Sequence, residues 1–109
     1  MDVNVNIEAG IENCGGMEDF YVEILDAFVE EGKREELIQN FADKDWELYA
    51  INVHSIKGSM RLIGADEAGE VAEKLQFAAE KGDAAAIEAD HQLLIDMMDA
   101  SLAKIRSLL

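Results

Sequence analysis

The sequence predicts an all-α fold, an antiparallel up-down four-helix bundle with a short extra N-terminal helix. Three observations carry that reading. Apolar residues recur at three- and four-residue steps, and no strand-like alternation, internal repeat or low-complexity tract stands out. No proline occurs in the 109 residues, which suits long helices. The periodic stretches are separated by short glycine- and aspartate-containing turns, and short turns favour antiparallel neighbours.

Residues 1–16 read as a short amphipathic helix, with Ile7 and Ile11, closed by the Gly15-Gly16 turn. Residues 17–109 supply the bundle, the two parts together forming one domain. The first long helix spans about 17–42, with Gly32 as a candidate kink or break. Glu18 and Asp19 sit at the positive end of its dipole, and Met17, Phe20, Tyr21, Ile24, Leu25, Phe28 and Val29 form its apolar stripe. The run "EEGKREE" interrupts that stripe, which Leu37, Ile38 and Phe41 resume.

"ADKDWE" is a turn, with Asp43 or Asp45 capping the next helix. There Trp46, Tyr49, Val53, Ile56, Met60 and Ile63 make a heptad-like seam, and Gly64 ends the helix. Asp66 is placed to cap a following helix that buries Val71, Ala72, Leu75, Ala78 and Ala79 and stops at "KGD". Asp83 then caps the last helix, whose seam is Ile87, His91, Leu94, Met98, Ser101, Ile105 and Leu108. Lys104 and Arg106 suit its negative end.

Composition removes several function classes. The 24 acidic and 9 basic residues give a formal charge of −15, which repels nucleic acid and anionic lipid. A protein partner with a basic face, or a local basic patch on this chain, fits better. The single cysteine, Cys14, permits no intrachain disulfide and no thiolate zinc site, and reads as a small apolar filler. Two histidines and scattered acids do not specify a metal site. No signal peptide or membrane span is present, so the chain reads as cytoplasmic. No Gly-rich phosphate loop or magnesium-binding acid in such a setting provides for ATP.

One stretch does carry chemistry. At about 100° per residue, His54 points roughly 130° away from the seam of its helix. It therefore faces solvent or the edge of a groove, on a flank shared with Glu47, Ala50, Lys57, Gly58 and Arg61. An imidazole with a pKa near 6.5 is partly neutral at cellular pH and hence nucleophilic. Lys57 and Arg61, among few cations in an acidic chain, would attract a phosphoryl group and offset its charge. Gly58, one turn on, leaves bare surface beside the ring. Ile51 and Leu62 project about 160° to 180° from Val53, apolar residues on a wet face, and are expected to belong to a docking surface. His91, in a seam without a basic neighbour, reads as a hydrogen-bonded packing histidine.

"HSIKGSMRLIGA" resembles the signature of histidine-containing phosphotransfer (HPt) domains, with His54, Lys57, Gly58, Ser59, Gly64 and Ala65 matching and Ile56 replacing a usual leucine. "GGMEDFYVEIL", "KDWELYAINVH" and "AEKLQFAAEKGD" extend the likeness over nearly the whole chain, while Met60 departs from a usual small residue. The resemblance implies a phosphohistidine intermediate of a multistep His-Asp phosphorelay. His54 would accept a phosphoryl group from one receiver-domain aspartate and pass it to another. Lys57 would help neutralise it, Gly58 would leave room for the receiver, and Gln76 would hydrogen-bond the ring. The expected partners are receiver domains, which would bring the magnesium ion; this chain would need no cofactor, would be a carrier and not an enzyme with its own ATP site, and would be a monomer. Two other readings stay open: the phosphoacceptor module of a chemotaxis-type histidine kinase, and an adaptor that docks receivers without carrying phosphate.

Overall fold

The computed structural model describes all 109 residues, Met1–Leu109. It contains six helices and no strand: α1 (Ile7–Asn13), α2 (Glu18–Glu31), α3 (Lys33–Asp43), α4 (Trp46–Leu62), α5 (Asp66–Glu80) and α6 (Ala84–Leu108). No helix is long and apolar enough to cross a membrane.

The chain breaks at Gly32. This residue adopts φ +68°, a left-handed conformation that glycine enters without a Cβ penalty, and it ends α2 and starts α3. Asp45 is the acid that caps α4, accepting from the Leu48 N–H at 3.2 Å, and Asp83 caps α6 through the Ala86 N–H at 3.2 Å. Asp66 does not cap α5. Ala65 occupies the cap position and its carbonyl accepts from Gly69, so Asp66 lies inside the first turn, still at the favourable end of the dipole.

The core runs through all the long helices. Tyr21, Leu25, Leu37, Tyr49, Ile56, Met60, Ile63, Leu75, Ile87, Leu94, Met98 and Ile105 are fully buried. Small residues let α5 approach its neighbours closely, with Ala68, Ala72 and Ala79 buried along it. The first long stripe is narrower than its periodicity implies: Met17, Phe20 and Val29 stay 64%, 45% and 52% exposed. Tyr21, Leu25 and Phe28, at steps of four and three residues, are the buried edge of α2, with Ile24 packed partly against the core beside them. Leu108, in the last turn of α6, is also exposed.

Polar links tie the elements. Asn52 on α4 donates to Asn40 on α3 at 2.6 Å, both side chains buried. Arg34 on α3 grips Asp99 on α6 through two bonds of 2.8 Å, and Arg106 reaches Asp26 on α2 at 2.9 Å. No buried side-chain nitrogen or oxygen is left without a partner.

The end of α4 is the most heavily braced point. Gly64 adopts φ +89°, and the Ala65 and Gly64 N–H groups return to the Met60 and Arg61 carbonyls at 2.8 and 3.3 Å, which closes a Schellman motif. The carbonyls left over are taken by the N-terminal region. Tyr21 donates its hydroxyl to Ile63 O at 2.6 Å, Asn13 donates to Leu62 O at 3.2 Å, and the Asn6 N–H donates to Gly64 O at 2.9 Å.

Candidate functional site

His54 is exposed on the middle of α4, where the buried seam of Val53 and Ile56 turns it outward. Its Nδ1 lies 3.0 Å from Oε1 of Gln76 on α5. A carboxamide oxygen only accepts, so this contact puts the proton on Nδ1 and leaves the lone pair on Nε2. Ala50, Ile51, His54, Gln76 and Glu80 line a shallow cavity of about 340 Å³. Of these, Ala50 is half-buried and Ile51 is 61% exposed.

On the other side of the ring the surface is bare. A Cβ placed on Gly58 would meet no atom within 4 Å. Lys57, one turn along α4 from His54, is half-buried and forms no ion pair. Arg61 differs from the reading of a free cation: its guanidinium is paired with Glu73 at 2.8 Å. That hydrogen bond, with the charge of Arg61 behind it and Lys57 adding to it, holds the Glu73 carboxyl below its ordinary range.

The Hpt domain family model matches residues 23–104, three quarters of the chain. The chain belongs to the Hpt domain family. Hpt domains are phosphotransfer carrier modules of phosphorelay signalling that interact with receiver domains, and are not enzymes of the ordinary kind. Searches of curated proteins and of solved structures returned no match.

Within this Hpt domain, Leu62 departs from the fully wet position that helix rotation assigned to it. It is half-buried, packs against the core, and its carbonyl is covered by Asn13. The rotation count treats α4 as if alone, and α1 returns across its C-terminal end. Two exposed apolar residues near His54 and Gln76 went unremarked in the sequence. Leu48 is 47% exposed one turn before Asn52, and Phe77 is 52% exposed next to Gln76. The same rotation places Leu48 on the outer face with Ile51, while Phe77 stands opposite the Ala72–Leu75 seam. Gly69 was also passed over. A Cβ there would come within 2.8 Å of the Arg61 stem, so this glycine seats the arginine that meets Glu73.

The second histidine is a packing residue. His91 stacks on Phe41 with ring centroids 3.9 Å apart, and its Nδ1 meets the Tyr49 hydroxyl at 2.9 Å. Burial lowers its pKa and raises that of Tyr49, so a neutral imidazole accepts from a protonated phenol. Cys14 is buried in the core, and burial pushes its thiol up, away from thiolate reactivity.

Proposed function

We propose that this Hpt domain is a phosphohistidine intermediate in a multistep His-Asp phosphorelay, with His54 as the group that is phosphorylated. The observation that carries this reading is the exposed imidazole bonded through Nδ1 to Gln76 beside the open surface of Gly58.

In the proposed step, Nε2 attacks the phosphorus of a receiver's aspartyl phosphate. The P–N bond forms as the acyl P–O bond breaks, and the electron pair leaves with the aspartate carboxylate. No proton has to move. Nδ1 keeps its hydrogen on Gln76, and the positive charge that develops on the ring is shared with that carbonyl. Lys57 offsets the charge of the arriving phosphoryl group. The receiver supplies the aspartate and the magnesium ion. Transfer to a second receiver is the same step reversed. Ala50, Ile51, Leu48 and Gly58, with the accessible part of Leu62, form the face on which either receiver docks.

The short α3–α4, α4–α5 and α5–α6 turns support reading the fold as an up-down four-helix bundle, with α2 and α3 as one broken arm. Residues 1–16 are read as an added segment and residues 17–109 as the relay module, monomeric and acting in the cytoplasm.

The test is phosphoryl transfer from chemically phosphorylated receivers to the wild-type protein and to His54→Gln. Acid-labile, alkali-stable phosphate on wild type alone is the expected result. Receiver binding without any label on wild type would support the adaptor reading in its place.

A further inference from the structure

The cavity beside His54 has an uneven chemistry. Ala50 and Ile51 give it an apolar side on α4, and Glu80 stands at the α5 end. Glu80 is exposed and makes neither a hydrogen bond nor an ion pair with this chain. It is also the last residue of α5, whose final turn holds no basic residue. A carboxylate at the negative end of a helix dipole is locally unfavourable. Lys81 follows it but pairs with no acid. The contrast with Glu73, two turns earlier on the same helix, is sharp: that carboxylate has its arginine at 2.8 Å.

We propose, resting on the phosphorelay reading, that this cavity is a subsite for one lysine or arginine side chain of the docking receiver, with Glu80 as its counter-ion. Such a side chain lays its methylene stem along Ala50 and Ile51 and delivers its charge to the carboxylate and the carbonyl end of α5. The alternatives fit less well. An anion would be repelled by Glu80, and an apolar side chain would cover the carboxylate without a partner. Lys57 lies one turn beyond His54 and the cavity one turn before it, so the histidine stands between a free cation and a free anion. A receiver carrying the complementary charges is thereby oriented about the reacting nitrogen, as charge complementarity fixes register in other interfaces.

The receiver that labels the wild-type protein fastest, chosen from a panel, is titrated in its unphosphorylated form against wild type, Glu80→Gln and Glu80→Lys. Because Glu80 is exposed at a helix end, both variants are expected to keep the wild-type circular dichroism. The Kd is expected to rise about threefold for the glutamine and tenfold or more for the lysine at low salt, with the gap closing as ionic strength rises. One Lys→Glu or Arg→Glu change on the receiver should restore binding to Glu80→Lys. An unchanged Kd for Glu80→Lys, or the failure of every such reversal to rescue it, overturns the proposal. Phosphoramidate labelling of the wild-type protein separates this from the parent reading. A labelled His54 with unchanged Glu80→Lys affinity removes the subsite alone, whereas no label from phosphoramidate or any receiver removes the phosphorelay reading and the subsite with it.

Discussion

His54 and Gln76 meet across the α4–α5 seam through one contact of 3.0 Å, Nδ1 to Oε1. The ring is thus oriented by the register of two helices and not by its own helix alone. Gln76 is a positioning residue in this scheme. Gln76→Ala should lower the transfer rate about tenfold, in the range expected when an orienting partner is removed. The nitrogen NMR spectrum of His54 should show Nδ1–H giving way to a tautomer mixture. Gln76→Glu, which keeps an acceptor, should retain the Nδ1–H form. A loss of rate with an unchanged tautomer would contradict the assignment.

Gly58 gives a second test, in which stability and function separate. Alanine there touches nothing and is the better helix former, so Gly58→Ala should stabilise the fold by about 0.5–1 kcal/mol. Its urea midpoint should rise while transfer from a receiver slows. Gly58→Arg should abolish transfer by filling the approach. Full activity in Gly58→Arg would mean that the open surface is not used.

The two cations beside His54 are not equivalent. Arg61 is held by Glu73, whereas Lys57 has no partner. Lys57→Ala should therefore slow phosphotransfer more than Arg61→Ala does, by about tenfold against less than threefold. Rates measured with one receiver at fixed ionic strength would check the order.

The Tyr49–His91 pair makes stability depend on pH. Burial lowers the His91 pKa from its ordinary 6.5, so between the two values the unfolded chain binds more protons than the folded one. The contribution is complete above about pH 6.5 and declines as pH falls toward the folded-state value. Urea midpoints between pH 5 and 8 should show this slope in wild type and a shallower one in His91→Gln. Tyr49→Phe leaves the buried Nδ1 without its donor and should cost about 1–3 kcal/mol at neutral pH.

Much of this fold was legible because a helix announces its buried face in its own periodicity. Tyr49, Val53, Ile56, Met60 and Ile63 were readable as a seam, and that seam turned His54 outward. Gly32 was readable as a breaking point. What one helix cannot report is its neighbour's axial offset. The Arg61–Glu73 pair, the seat that Gly69 offers it and the position of Glu80 beside Ile51 all depend on how α4 and α5 are staggered. The same limit explains Asp66: the Gly64 turn puts Ala65 at the cap position, and the helix starts without a side-chain cap. It also explains Leu62, which α1 reaches from a distant part of the sequence.

The bracing at the end of α4 bears on how the protein should be shortened. Asn6, Asn13 and Tyr21 all lie before residue 23, where the match to the family begins, yet they occupy the carbonyls of Gly64, Leu62 and Ile63. A fragment trimmed to the family boundary would expose those carbonyls and loosen the last turn of the helix that bears His54. Measurements of relay chemistry on such a fragment would then report on a frayed carrier, and residues 1–22 belong in any version used for assay or design.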